Sequence, residues 1–181
     1  ATQDEARKLA QPVIDEISKG SGITLYGRDN DTLEAVAGAL LAKQGKTLGV
    51  AESCTGGLIM QRLTDVPGSS KYLGVGIISY SNDAKHKILG VDEALLALHG
   101  AVSVESATAM AIGMLKLAQT DLAIAVTGIA GPDGGTADKP VGLVYVCLAV
   151  QPEGGGAPQT FVRKLSLGAR INRSEVRYRT A

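Results

Sequence analysis

The apolar positions of this chain follow two kinds of spacing, and these predict helices and strands in alternation. Four segments repeat apolar residues every three or four positions, as a helix with one buried face does: residues 6–17, 31–45, 58–64 and 105–118. Five shorter segments are continuously apolar or alternating, as strands are: residues 23–26, 48–51, 75–80, 122–126 and 141–150. An alternating run at 160–167 predicts one more strand.

Capping residues and loop composition complete the pattern. The polar run Ser81-Asn82-Asp83 is typical of a helix start, and short helices are also predicted at 92–99 and 172–181. Residues 65–71 are rich in Gly, Pro and Ser, which predicts a loop. The helix at 31–45 is expected to bury Leu33, Val36, Leu40 and Leu41.

Strands alternating with helices of this length indicate an α/β fold, with a mostly parallel sheet covered on both faces. Residues 141–167 hold two strand-like runs around a glycine-rich turn, which predicts an antiparallel hairpin at the sheet edge. The prediction is therefore a three-layer α/β/α sandwich over residues 31–181. Residues 1–30 are too few to bury their own apolar face, and we expect them to be the tail of a preceding domain.

Composition narrows the possible functions. The chain has 181 residues, no net charge and 3% aromatic residues, which argues against a nucleic-acid-binding protein. Its two cysteines, Cys54 and Cys147, have no metal-site spacing and indicate cytosolic thiols. No segment resembles a signal peptide or a membrane span. We expect a cytoplasmic protein with no metal, no cofactor and no membrane partner.

A hydroxyl group stands where the strand at 48–51 leads into a glycine-rich helix start. Ser53 is followed by Cys54-Thr55-Gly56-Gly57. Free N–H groups at a helix start can hold a phosphate or a developing oxyanion. The alternative is that Ser53 or Thr55 only caps the helix. Ser53, Tyr80 and Thr127 each fall at the C-terminal end of a predicted strand, where ligands bind in parallel sheets, and this favours a functional Ser53.

A second glycine-rich segment, residues 127–135, follows the strand at 122–126. Glycine is often used where the backbone approaches a ligand closely, although a flexible surface connection is the alternative. The segment lacks the GxGxxG pattern of a dinucleotide site.

The sequence offers no obvious histidine base for Ser53. His86 neighbours two lysines and His99 precedes a glycine that ends a helix, so neither falls at a predicted strand end. A nucleophilic Ser53 is therefore expected to use a lysine whose pKa is lowered by burial, although a solvated surface position is the commoner environment of any one lysine.

Four segments, in this order, resemble the C-terminal domain of the CinA (competence/damage-inducible protein) family: AESCTGG at 51–57, ISYSNDAK at 78–85, LHGAVS at 98–103 and TGIAGPDGG…KPVG at 127–142. That domain is similar to stand-alone nicotinamide-nucleotide amidohydrolases. The resemblance runs from residue 31 to the end, and residues 1–30 resemble the end of the middle domain of long CinA proteins.

The resemblance implies deamidation of nicotinamide mononucleotide (NMN) to nicotinate mononucleotide and ammonia. The family's serine nucleophile falls on Ser53, its lysine base on Lys85, and the tyrosine that polarises either of them on Tyr80. The residues expected to bind substrate are Glu52, Cys54, Thr55, Gly56, Gly57, Thr127, Gly128, Ala130, Gly131, Gly134, Gly135 and Arg173. The oxyanion hole is expected among the N–H groups of residues 54–57.

The last helix departs from the family pattern. The family tends to have Gly-Asp-Arg there, with a second arginine one turn on, whereas this chain has Asn172-Arg173 and then Arg177. Arg173 and Arg177 lie one helical turn apart, and we expect the substrate phosphate to be held either by these arginines or by backbone amides of the glycine-rich loops. The alternative for the two arginines is that they are solvent-facing charges at a frayed terminus.

Two other functions stay open at this point. The domain can be a non-catalytic nucleotide-binding or regulatory module of a competence-related protein; loss of Ser53 or Lys85 would favour this, and both are present. Direct DNA binding is disfavoured by the charge and the few aromatics. The family generally forms dimers or larger assemblies, and we expect the same here.

Overall fold

The computed structural model of the protein describes residues 2–20, 25–27 and 29–181. The helices are α1 (Gln3–Gly20), α2 (Leu33–Gln44), α3 (Leu58–Thr64), α4 (Asn82–Leu89), α5 (Glu93–His99), α6 (Val104–Ala118) and α7 (Arg173–Thr180). The strands are β1 (Leu48–Glu52), β2 (Leu73–Ile78), β3 (Leu122–Gly128), β4 (Leu143–Val150) and β5 (Gln159–Ser166).

The five strands form one sheet in the order β2-β1-β3-β4-β5. β1 pairs in parallel with β2 and with β3, whereas β4 is antiparallel to both β3 and β5. Four strands therefore run the same way and β4 alone is reversed. The mostly parallel sheet and the antiparallel hairpin at its edge are confirmed.

Helices cover both faces of the sheet. On one face, Met110 and Met114 of α6 pack with α4 and α5 over a floor of small strand residues such as Ala51 and Ala125. On the other face, Ile59 of α3 and Val176 of α7 pack over the opposite sides of β1, β3 and β4. The three-layer α/β/α architecture is thus confirmed.

Side-chain caps hold two helix starts, the predicted one at Ser81 and another at Asn172. Ser81 Oγ accepts from the Ala84 N–H at the start of α4, and Asn172 Oδ1 accepts from the Glu175 N–H at the start of α7. The strand bounds differ by one or two residues from the predicted ones; β2 ends at Ile78, so Tyr80 lies two residues beyond the strand. The predicted loop at 65–71 contains a 3-10 turn, Ser69–Lys71.

The predicted apolar face of α2 is wrong in part. Leu33 and Leu40 are about half exposed, and the buried residue of the helix is Gly38. A Cβ at Gly38 would collide with the ring of Tyr72, so α2 approaches Tyr72 closely through its glycine. Leu41 packs against the core, as predicted for it. The strand predicted at 23–26 lies partly outside the described residues; its described part, Leu25 and Tyr26, is not a strand. The division at residue 30 stays a prediction.

Candidate active site

The turn after β1 presents Ser53 at the C-terminal edge of the parallel strands. Its main-chain N–H donates to the Val126 carbonyl of β3 (3.0 Å), and its carbonyl accepts from the Gly56 N–H (3.2 Å). Gly56 and Gly57 have φ angles of +61° and +97°, which L-residues rarely adopt. The chain therefore reverses tightly after Ser53 and enters α3 directly.

Lys85 of α4 reaches this turn from the neighbouring strand connection. Its Nζ lies 2.9 Å from Ser53 Oγ, 2.8 Å from the Ser79 carbonyl oxygen and 3.4 Å from the Tyr80 carbonyl oxygen. The side chain is 1% exposed. The predicted pairing of Ser53 with Lys85 is therefore present in the structure as a direct contact.

Burial lowers the pKa of Lys85 to about 8, because removal from water disfavours the ammonium form. Once Lys85 is neutral it keeps two N–H donors, which match the two carbonyl acceptors, and its lone pair faces Ser53 Oγ. In that form the Ser53 hydroxyl donates to Nζ, which is the arrangement a general base needs.

Glu52 has a different position from the one expected of a substrate ligand. Its carboxylate accepts the main-chain N–H groups of Gly57 (2.8 Å), Ile59 (3.2 Å) and Met60 (2.9 Å). The residue is 1% exposed, so these amides close off the carboxylate from solvent. The N–H groups at the start of α3 are thereby used within the protein.

Two main-chain N–H groups of the turn can donate hydrogen bonds to a ligand. The N–H groups of Cys54 and Thr55 have no hydrogen-bond partner within residues 2–20, 25–27 and 29–181. Both belong to the turn that carries Ser53, as an oxyanion hole beside a nucleophile requires. Burial raises the pKa of the Cys54 thiol to about 11, so this sulfur stays protonated beside the serine.

Tyr80 and Arg173 form the exposed rim of the site. Arg173 Nη2 donates to the Tyr80 hydroxyl (2.6 Å) and Nη1 donates to the Gly131 carbonyl (2.9 Å). Tyr80 approaches Lys85 with its main-chain carbonyl, whereas its hydroxyl points to Arg173. The expected contact of that hydroxyl with Ser53 or Lys85 is not formed, since the bonds of the Tyr80 hydroxyl in the described structure go to the arginine.

The segment 127–135 supports the rim mainly through its backbone. Thr127 is buried and its hydroxyl donates to the Ala101 carbonyl (2.7 Å), which ties β3 to the start of α6. A Cβ at Gly128 would lie 2.7 Å from Val144, and one at Gly135 would lie 2.9 Å from the Val141 nitrogen. These two glycines therefore permit close chain packing. Gly131 also approaches Val141, whereas a Cβ at Gly134 would make only an ordinary contact with Ile129, at 3.9 Å.

A cavity of about 430 Å³ opens beside the rim. Its walls are mostly apolar, with Arg173 and Asn172 as polar members; the lining residues are Ala130, Pro132, Val141, Ala169, Ile171, Asn172 and Arg173. Arg173 uses two of its five N–H groups on Tyr80 and Gly131. The other donors are available to a ligand in this cavity.

One contact at the site is not encoded in any sequence motif. Arg177 donates from Nε (3.2 Å) and Nη2 (2.8 Å) to the Thr55 carbonyl, so α7 holds the turn that carries Ser53. An arginine one turn after Arg173 is the only sequence signal for this contact. Its charge had suggested a phosphate ligand instead, and a carbonyl acceptor leaves no mark in the sequence.

The described part of the chain contains no group of three His, Cys, Asp or Glu side chains that could hold a metal ion. Within the same residues, no helix combines the length and the apolar character that crossing a membrane requires.

Comparison with known proteins places these features in a family. A family model described as the CinA C-terminal domain matches residues 30–181. A putative competence-damage inducible protein of Symbiobacterium thermophilum is 53% identical over 157 residues, covering 86% of this chain and 37% of the relative. A CinA-like protein of Synechocystis is 47% identical over 176 residues, covering 97% of this chain and 41% of that relative. The chain thus spans about two fifths of the length of these relatives.

Solved structures agree with this assignment. The crystal structure of a competence/damage inducible protein from Agrobacterium tumefaciens is similar to this chain with a TM-score of 0.76 and 40% identity, covering 87% of this chain and 92% of the other. A CinA superfamily protein from Escherichia coli is similar with a TM-score of 0.75 and 29% identity, covering 89% and 90%. With the family model matching residues 30–181, the chain belongs to the CinA family and contains its C-terminal domain.

Proposed function

We propose that this chain hydrolyses the carboxamide of NMN to nicotinate mononucleotide and ammonia, with Ser53 as nucleophile and Lys85 as its base. The observation that carries the proposal is the 2.9 Å contact between Lys85 Nζ and Ser53 Oγ, buried beside two carbonyl acceptors. A buried lysine that contacts a serine hydroxyl at a strand end, where ligands bind in parallel sheets, has the arrangement expected of a nucleophile and its base.

The reaction follows from this geometry. Ser53 Oγ passes its proton to neutral Lys85 and attacks the carboxamide carbon, while the carbonyl oxygen gains negative charge. The N–H groups of Cys54 and Thr55 stabilise that oxyanion. Lys85 then gives the proton to the departing nitrogen, the C–N bond breaks, and ammonia leaves an ester on Ser53.

Hydrolysis of the ester completes the cycle. Lys85, neutral again, takes a proton from water, whose oxygen attacks the ester carbon. The Ser53–acyl bond breaks, the proton returns to Ser53 Oγ, and the nicotinate product carries the new oxygen. Every proton in the two steps passes through one nitrogen, so a second acid or base is not required.

The substrate's remaining groups fit the rim. A ribosyl phosphate needs an apolar wall and a cationic donor, and the cavity of about 430 Å³ beside Arg173 offers both. Glu52 already occupies three amides at the start of α3, which supports Arg173 rather than that helix as the phosphate ligand. Backbone amides of segment 127–135 are the alternative ligand.

Ammonia release from NMN by the purified chain tests the proposal. We expect turnover by the wild type, loss of at least about a thousandfold in Ser53→Ala, and retained NMN binding in that variant, since Ser53 contacts the carboxamide alone. Ser70→Ala is the matched control, because Ser70 is exposed in the 3-10 turn Ser69–Lys71. NMN binding without turnover by the wild type would favour the non-catalytic module.

A further inference from the structure

The residue before the nucleophile is held more firmly than a strand end requires. Glu52 pairs in β1 with Ile78 on one side and Val126 on the other. Its carboxylate is buried and accepts three amides from the first turn of α3 and the residue before it. A helix cap needs only one neutral side-chain oxygen, as the Ser81 hydroxyl and the Asn172 amide show, and not a buried charge.

Glu52 connects both members of the reacting pair. Through its side chain it fixes Gly57, Ile59 and Met60, where the turn of Ser53 ends. Through its carbonyl it accepts the Ser79 N–H (2.8 Å). The carbonyl of the same Ser79 accepts from Lys85 Nζ. The positions of both Lys85 and Ser53 therefore depend on Glu52.

We propose that Glu52 is a positioning residue for the Ser53–Lys85 pair, and that it does not touch the substrate. This inference rests on the proposed reaction at Ser53. The two oxygens of the Glu52 carboxylate can only accept hydrogen bonds, and together they accept three N–H groups. This pattern favours one arrangement of the turn. Replacing the carboxylate by an amide puts an NH₂ group against at least one N–H, and the turn must shift.

The test compares Glu52→Gln with Asp121→Asn. Asp121 accepts the N–H and the hydroxyl of Thr47 (both 2.8 Å) at the opposite end of β1 and β3, away from Ser53. Both variants lose a carboxylate that holds one end of β1, Glu52 through α3 and Asp121 through Thr47, and both are expected to unfold at lower temperature. Only Glu52→Gln is expected to lose kcat, by about ten- to a hundredfold, with KM for NMN within about twofold.

A second readout is independent of NMN. The rate at which a fluorophosphonate labels Ser53, measured by mass spectrometry, depends on the alignment of Ser53 with Lys85 whatever the natural substrate is. We expect labelling to slow in Glu52→Gln in parallel with kcat, and to be unchanged in Asp121→Asn. A wild type that is labelled but releases no ammonia from NMN would refute the proposed function and leave the positioning role intact.

If Glu52→Gln does not fold, Met60→Pro and Met60→Ala replace it. Both remove the methionine side chain, but only proline removes the N–H that Glu52 accepts, at a first-turn position where helices tolerate it. Slower labelling in Met60→Pro than in Met60→Ala is expected. Equal labelling in this pair, or a Glu52→Gln protein with wild-type kcat and labelling, would overturn the proposal, as would a loss confined to KM.

Discussion

The burial of Lys85 predicts how the rate depends on pH. A pKa of about 8 leaves roughly 9% of the lysine neutral at pH 7 and roughly 91% at pH 9, so a reaction that needs the neutral amine speeds up about tenfold over this interval and then levels off. A solvated lysine with a pKa of about 10.4 gives about a hundredfold rise over the same interval and no plateau.

The assay is the initial rate of ammonia release at constant ionic strength, from pH 6 to pH 10, analysed as kcat/KM. Cys54 does not obscure the result, because burial raises the pKa of its thiol to about 11. Lys87→Met is the matched control: Lys87 stands two residues after Lys85, is exposed and pairs with Asp83. Its profile should superimpose on that of the wild type.

Lys85→Met should leave only a small residual rate without the rising limb. The reasoning fails if the wild-type rate is flat from pH 7 to pH 9, since no group of the expected kind would then titrate. It fails equally if the rate climbs without a plateau, because that behaviour belongs to a solvated amine. Retention of wild-type activity by Lys85→Met would exclude the lysine from the chemistry.

Four further outcomes are expected. The unfolded chain keeps the proton of Lys85 to higher pH than the folded chain does. In urea titrations, the free energy of unfolding of the wild type should therefore rise relative to that of Lys85→Met by about 2 kcal/mol between pH 8 and pH 10. A constant difference between the two proteins would contradict the pKa shift. Arg173→Ala should raise KM for NMN by about ten- to a hundredfold and leave nicotinamide riboside equally poor with both proteins, whereas an unchanged KM assigns the phosphate to backbone amides. Gly113→Ala should cost about 1–3 kcal/mol in denaturant unfolding, because a Cβ there would collide with the carbonyl oxygen of Leu89; a wild-type midpoint would show that α4 and α6 separate freely. Light scattering at micromolar concentration should give a dimer or larger assembly, and a monomer mass would refute that expectation.

The fold and the contact between Ser53 and Lys85 were predictable from the sequence on different grounds. Element order, the edge hairpin and caps such as Ser81 follow from local spacing and side-chain chemistry, which act over a few residues. Ser53 at a strand end was visible in the same way. Its pairing with Lys85, 32 residues away, came from the family resemblance, because spacing alone does not tell a buried lysine from a solvated one.

What the sequence did not reveal depends on main-chain atoms and on approach distances. The carbonyls of Ser79 and Thr55 hold Lys85 and Arg177, and any residue type supplies a carbonyl. In α2, Gly38 is buried against Tyr72, whereas Leu33 and Leu40, which were expected to be buried, are exposed. The contact with Tyr72 depends on tertiary structure, which the spacing of apolar residues does not show. Glu52 is one of the residues expected to bind substrate, but the sequence does not say which way its carboxylate points.

The parallel pairing of β1 and β2 explains how Ser53 and Lys85 come into contact. Parallel neighbours end at the same sheet edge, so the turn after β1 and the connection after β2 meet without a long loop. Ser53 stands on the first and Lys85 on the helix that follows the second. Where it contacts the serine, Lys85 is 1% exposed, so its amine is removed from water. The burial that makes Lys85 costly for folding is therefore the same burial that makes it a base near neutral pH.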